Sequence, residues 1–294
     1  MTLCEHYLIA ESIDDTLRIL GDVPGSVRIV AGGTDLIVDL QQGREKPVDT
    51  LIDITQIPEL QVIEIRKSEI YIGACVTHAA VSSSTLIREN AEALAIACGL
   101  VGSPQVRNQG TLGGNVAHAL PAADGTIALL ALGADAEICS ASGKRRIHLP
   151  DLFAGPGRTN LNKRKEILTG FYIPMKQPGS GSAFNRVMRP QGVAIAILNA
   201  AVWLAHSGHL VTDIRIAGAP SGPVPRRMTA TEKFLKGKVL KDGNIEEAKR
   251  FLLDEAVFRS SKHRASQEYR RKVASSLFEE TLVQAWKNTA RRTQ

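Results

Sequence analysis

Only 4% of the 294 residues are Phe, Trp or Tyr, and the four cysteines, Cys4, Cys75, Cys98 and Cys139, lie far apart with no C-x-x-C pair. Few aromatics leave the core to Ala, Leu, Ile, Val and Gly, and they remove the interleaved rings on which nucleic-acid bases stack, so no nucleic-acid partner is expected. The cysteine spacing matches neither a zinc site nor an iron–sulfur cluster, and no metal is expected in this chain. It suits small buried side chains in a reducing cytosol. No apolar run approaches the ~18 residues of a membrane span, and the start "MTLCEHYLIA" has no basic region ahead of an apolar one. A cytoplasmic protein without a membrane partner is the expectation. Also missing are the G-x-G-x-x-G dinucleotide fingerprint and the G-x-x-x-x-G-K-[ST] phosphate loop. The nearest approach, "GPGRTN" from Gly155, carries a Pro and lacks the third Gly, so it reads as a turn.

What is present is ordinary for a folded protein: 44% hydrophobic and 22% charged residues. Single cores stop growing before about 250–300 residues, so two domains are expected. The formal charge is +6, and much of the excess gathers in "KGKVLK", "YRRK" and the terminal "ARR". Such runs are usually solvated helix faces and tail, and they also suit an anionic ligand or an acidic partner chain.

Periodicity orders the rest. Ser12 with Asp15 forms a capping box that opens a short helix, "VRIV" reads as a strand running into "AGGTDL", and "VIEIRKSEIYIGA" reads as a hairpin turning near Lys67 and Ser68. Thr85 to Cys98 has the spacing of one amphipathic helix, "GTIALLALGA" that of a buried helix, and "DAEIC" and "EILTGFYIP" read as strands. "MKQPGSGS", residues 175 to 182, marks a linker or tight turn. Beyond it come two long strands joined at Ser207-Gly208, then helices at "TATEKFLKG", "IEEAKRFLLDEAV" and "SQEYRRKVASSLFEETLVQAWKNTA". In the last, Tyr269, Val273, Ser276, Leu277 and Glu280 trace the expected inward face.

Two glycine-rich loops stand out, Ala31-Gly32-Gly33-Thr34-Asp35 and Gly110-Thr111-Leu112-Gly113-Gly114-Asn115. Glycine lets another group approach the main chain without a Cβ in the way, and successive exposed N–H groups form a concavity suited to phosphate oxygens. Each loop alone reads as a turn after a strand or helix. Together they suit the two phosphates of a pyrophosphate, gripped from opposite sides.

"AGGTDL", "IGACVTHAAV" and "VGSPQVRNQGTLGGNVAHALPAAD", in that order, resemble the FAD-binding subunit of the xanthine dehydrogenase family of molybdenum hydroxylases. "IRIAGAPSGPVPRRMTATEKFLKGK" and "HRASQEYRRKVASSLFEETL" are similar to that family's carboxy-terminal flavoprotein domain, so the resemblance covers nearly the whole chain. It implies an α+β, two-subdomain FAD-binding fold of the vanillyl-alcohol-oxidase (PCMH) type at residues 1–176, with subdomains of about 1–56 and 57–176. A carboxy-terminal α+β domain at 177–294, with a small antiparallel sheet and helices, would follow.

The resemblance puts the first pyrophosphate loop at Val30, Ala31, Gly32, Gly33, Thr34, Asp35 and Leu36, and the second at Thr111, Gly113, Gly114 and Asn115. It adds His118, Asp124 on a ribose or ribityl hydroxyl, and Leu168 beside the isoalloxazine or adenine rings. For Leu168 the core of a strand is an equal reading. His78 is expected to cap or pack. Arg186 stands near where the family usually shows a Lys, and Gln191-Gly192 where relatives often carry an acid, a departure that bears on electrostatic tuning of the flavin. The resemblance implies no catalytic side chain here. It also implies partners: a molybdopterin-binding large subunit, a small subunit with two [2Fe–2S] clusters, and an acceptor such as NAD, a quinone or oxygen. A free-standing FAD-dependent oxidase or reductase and a non-catalytic nucleotide-binding module are the alternatives.

Overall fold

A computed structural model describes residues 2–189, 195–261 and 264–290. Gln191-Gly192 and the terminal "ARR" from Arg291 on therefore lie outside the described residues. The chain opens with β1 (Cys4–Ile9), α1 (Ile13–Asp22), β2 (Val27–Val30), α2 (Leu36–Gln41) and β3 (Val48–Asp53). The three strands form a parallel sheet in the order β1-β3-β2, which parallel pairing permits because helices supply the crossovers. Ser12 caps α1 by accepting from the Asp15 N–H at 3.0 Å, as expected, while the Asp15 carboxylate reaches back to the Glu11 N–H rather than to that of Ser12.

The second unit comprises β4 (Ile63–Arg66), β5 (Glu69–Gly73), the helices α3 (His78–Ser83), α4 (Thr85–Asn90), α5 (Glu92–Gly99), α6 (Pro104–Gln109), α7 (Leu112–Ala117) and α8 (Asp124–Leu132), then β6 (Asp135–Ser140), β7 (Gly143–His148), β8 (Phe153–Gly155), β9 (Arg158–Thr159) and β10 (Glu166–Pro174). Its antiparallel sheet runs β4-β5-β10-β6-β7. Alternation sends Ile70, Ile72, Ile138, Leu168 and Phe171 into the helix-covered core. The other face carries Cys139 and Ile167 into the core of the first unit. All of α8 is buried, as its unbroken apolar run requires. "GPGRTN" is the β8–β9 turn, with Gly157 at φ 65°.

The third unit is the antiparallel meander β11 (Ser180–Met188), β12 (Ala196–Ser207) and β13 (Leu210–Ala219), followed by α9 (Thr229–Leu235), α10 (Asp242–Glu255) and α11 (Gln267–Asn288). Both faces of the meander are covered. Val202, Leu204, Ile214 and Ile216 meet the carboxy-terminal helices, while Phe184, Ala201, Ala217 and Ala219 join the core of the second unit.

Three sequence expectations need correction. The helix expected over Thr85–Cys98 breaks at Ala91, whose φ and ψ are −139° and 53°, and the Ala93 N–H freed there donates to Ser182 Oγ of β11 at 3.2 Å. The linker read over 175–182 ends early, since β11, unforeseen, begins at Ser180. Gly181 is no linker residue: a Cβ there would lie 2.5 Å from the Ala285 carbonyl of α11. The inward face of α11 is Arg270, Ala274, Leu277, Phe278, Thr281, Leu282, Ala285 and Asn288, whereas Tyr269 is exposed. Polar members hid this face, and they are held by β11: Asn288 donates to the Ser182 carbonyl at 2.9 Å, and Asn185 to Thr281 Oγ1 at 3.2 Å.

Candidate functional site: two glycine loops and a buried ion pair

The β2–α2 loop and the α6–α7 loop touch backbone to backbone. A Cβ on Gly32 would overlap the Gln109 carbonyl and lie 2.8 Å from Gly110 Cα, and a Cβ on Gly110 would come within 3.4 Å of Thr34 Oγ1. Only glycine allows so close an approach. Gly33, at φ 66°, takes the left-handed turn that releases the chain into α2. His118 Nδ1 lies 3.5 Å from Asp35 Oδ2 and ties the loops at their outer ends. That contact raises the imidazole pKa above its ordinary value and lowers the carboxyl's.

The loops differ in what their amides do. The N–H groups of Gly32, Gly33, Thr34, Asp35 and Leu36 donate to no oxygen among the described residues, and Asp35 makes no side-chain cap to α2. This is a run of unpaired donors, as the sequence suggested. The second loop does not expose its amides as expected: Leu112 donates to the Val76 carbonyl and Gly113 to that of Ala74, both at 2.9 Å, and Gly114 donates to Thr111 Oγ1 at 3.0 Å. Gly113 is buried, and a Cβ on it would sit 2.5 Å from the Ala74 carbonyl, so packing alone requires glycine there. Gly114 is exposed, with only Thr111 Oγ1 near its missing Cβ. The second loop therefore contributes a surface without a Cβ, rigidly braced from behind. Asn115 is part of that brace, its Oδ1 accepting from the Thr126 N–H at 3.1 Å and hydroxyl at 3.0 Å.

His78 lies beneath the second loop, its N–H donating to the Gly110 carbonyl at 2.9 Å and its Nδ1 3.3 Å from Cys98 Sγ. Burial pushes its pKa down to about 4, so the ring is neutral packing, as expected.

Asp124, the first residue of α8, is buried and gripped from the third unit. Arg186 Nη1 donates to Oδ2 at 2.6 Å and Asn199 Nδ2 to Oδ1 at 2.7 Å. Burial pushes the carboxyl pKa up, opposed by the Asn199 amide and the Arg186 guanidinium. The Arg186 side chain is only 5% exposed. Its Nε and Asn199 Oδ1 are buried and without a hydrogen-bond partner among the described residues. The Asn199 amide cannot be reversed to cure this, since its nitrogen also faces the Ala122 carbonyl at 3.3 Å. An unpaired donor and an unpaired acceptor thus flank one carboxylate, a pattern that calls for a polar ligand or water. Sequence reasoning missed Asn199, for which the one signal was a lone Asn within the apolar run of β12. Leu168 is 6% exposed, in the core cluster that also holds Leu112 and Val116 of α7. A recess of about 250 Å³ lined by Glu5, His6, Val23, Gly25 and Asp49, among others, shares no residue with this site.

Such an arrangement, a run of unpaired amides in contact with a second glycine loop, suits a phosphate-bearing ligand. Residues 3–176 match the family described as "FAD binding domain in molybdopterin dehydrogenase" and residues 182–285 that described as "CO dehydrogenase flavoprotein C-terminal domain". The chain is 33% identical to the nicotinate dehydrogenase FAD-subunit of Eubacterium barkeri over 89% of its length and 88% of the relative's. It is 32% identical to the nicotine 6-hydroxylase medium subunit of Paenarthrobacter nicotinovorans, over 97% and 98% of the two chains. In the solved carbon monoxide dehydrogenase of Hydrogenophaga pseudoflava, one chain superposes with a TM-score of 0.92 at 27% identity, covering 98% of this chain and 99% of that one. The protein belongs to the FAD-binding medium subunits of the molybdenum hydroxylase family, and is thus an oxidoreductase subunit with FAD as its cofactor. The fold agrees with that expected from the resemblance.

Proposed function

We propose that the chain holds FAD with its diphosphate against the β2–α2 loop, and relays electrons from the [2Fe–2S] clusters of a small partner subunit to an acceptor such as NAD, a quinone or oxygen. A molybdopterin-binding large subunit would carry substrate oxidation. The unpaired amides from Gly32 to Leu36 are the observation that carries this reading. They match phosphate oxygens in number and kind, and the contact with Gly110 fixes where the second loop stands. When bound, FAD supplies the capacity to take up electrons singly and release them in pairs.

Each proposed residue then has a task. Val30 and Ala31 deliver the loop from β2, and Gly114 leaves room for the diphosphate that any side chain would take. Thr111 holds the Gly114 amide back, and Asn115 fixes α7 against α8. Asp124 still has lone pairs for a hydroxyl once Arg186 and Asn199 are satisfied, and the unpaired Arg186 Nε and Asn199 Oδ1 offer complementary polarity beside it. Leu168 would enter only as an apolar wall. Cysteines that are all free, three of them buried, suit a reducing cytoplasm. No helix among the described residues is long and apolar enough to cross a membrane.

The experiment is Gly114→Val in the purified chain. We expect flavin absorbance and fluorescence to be lost, with circular dichroism unchanged and the melting temperature equal to that of wild-type apoprotein. Normal flavin content would refute the placement of the second loop.

A further inference from the structure

The carboxy-terminal domain contains a buried cation with no counterion among the described residues. Arg270, in the second turn of α11, is 2% exposed, and its Nε and Nη1 are both buried without a hydrogen-bond partner. A guanidinium cannot escape by losing its proton, and burial without an anion is far costlier than burial of a neutral polar group.

Its surroundings add to the problem. Arg264 and Arg259 are the charges that act on Arg270, and with burial they hold its pKa below the usual arginine value. Arg264 is itself half-buried and depressed by burial and by Arg259. Arg189 of the β11 end donates to the Arg264 carbonyl at 3.0 Å, bringing another guanidinium onto the same loop. The nearby acids do not compensate: Asp254 lies 3.9 Å from Arg271, and Glu268 in the first turn is exposed. Neither Arg259 nor Arg264 forms an ion pair with a described residue.

All of this stands at the amino terminus of the 22-residue α11, the positive end of its dipole, where a cation is disfavoured and an anion welcome. Described residues on either side of the helix start are hydrogen-bonded to one another. Ser266 Oγ accepts from the Tyr269 N–H at 3.1 Å, the Gln267 N–H donates to Ser260 Oγ at 2.9 Å, and the Ser261 N–H donates to the Ala265 carbonyl at 3.0 Å. The unpaired donors of Arg270, the Gln267–Ser260 bond that brings the chain next to Arg259 against α11, and the helix dipole therefore meet at the start of α11. None of these residues belongs to the glycine loops.

We infer that Arg270, Arg264 and Arg259 form a binding site for a phosphate group at the amino terminus of α11. A phosphate dianion answers several guanidiniums at once and presents enough acceptors for the unpaired nitrogens. The site stands whether or not the flavin assignment holds.

The test uses the full chain loaded with FAD, melted in inorganic phosphate and in chloride of equal ionic strength, with phosphate affinity measured by calorimetry. Wild type is expected to melt several degrees higher in phosphate. Arg270→Met, freed of an uncompensated charge, is expected to melt at or above wild type in chloride and to lose the phosphate response. Arg259→Gln, at an exposed position, is expected to fold as wild type and bind phosphate about tenfold more weakly. Equal melting of wild type in the two salts would overturn the proposal, as would Arg270→Met with the response retained. Should Arg270→Met fail to fold, unchanged phosphate affinity in Arg259→Gln alone rejects the site. Competition by a nucleoside diphosphate assigns the phosphate to a small phosphorylated molecule, and phosphate binding without competition assigns it to the free ion.

Discussion

The two glycine loops meet, yet they solve different problems. The β2–α2 loop keeps its amides unpaired and so acts as a donor array. The α6–α7 loop spends its amides on Val76, Ala74 and Thr111 and acts as a braced wall. Similar composition thus hides opposite hydrogen-bond economies, and a glycine in one loop answers a different need from a glycine in the other.

Substitutions can break that comparison. The largest effect is expected at Gly32, where a Cβ meets the Gln109 carbonyl. Gly32→Val should abolish flavin binding and cost about 3 kcal/mol or more of stability, read by urea unfolding, because neither backbone can yield alone. A stable, flavin-loaded Gly32→Val would mean that the loops are not in contact.

Acid should attack the brace next. His78 has a folded pKa of about 4 against an unfolded value near ~6.5. The unfolded chain therefore binds a proton first, and stability falls as pH drops from ~6.5 to ~4, by roughly 3 kcal/mol in all. Unfolding free energies across that range, with His78→Gln as the flat control, check it.

Gly113 and Gly114 sharpen the contrast further. Gly113→Ala pushes against Ala74 and should cost about 1–3 kcal/mol in apoprotein. Gly114→Ala should leave apoprotein stability within about 0.5 kcal/mol while weakening FAD binding at least about tenfold. Equal stability losses would show that both positions are packing sites.

The smallest effect belongs to the tie between the loops. His118 is raised by Asp35, so its contribution is complete below ~6.5 and fades as pH climbs through the higher folded value. The pair is partly exposed, so His118→Asn should cost well under about 1 kcal/mol. A titration of the His118 ring by NMR should place its midpoint above ~6.5, and Asp35→Asn should bring it down.

Much of the fold was legible because its signals are local. The Ser12 cap, the Lys67 turn, at φ 58°, and the apolar run of the wholly buried α8 each announce themselves within a few residues. What escaped depends on partners distant in sequence. Ser182 of β11 receives the first-turn Ala93 N–H of α5 beyond the break, α11 makes Gly181 a packing residue, and Asn288 and Thr281 are buried where β11 hydrogen-bonds them. At the site, sequence picked out both loops and Asp124, but the state of each amide depends on which carbonyl arrives opposite, and the Val76 and Ala74 carbonyls come from the β5–α3 connection.

The salt link from Arg186 to Asp124 has a consequence for how the polypeptide matures. A fragment ending before β11 would strand an anion in an apolar interior and uncover the flank of α5 and α8 that the meander shields. Severing the chain there should yield two insoluble pieces rather than two modules, so the flavin compartment reaches its final form only after the last strands have left the ribosome.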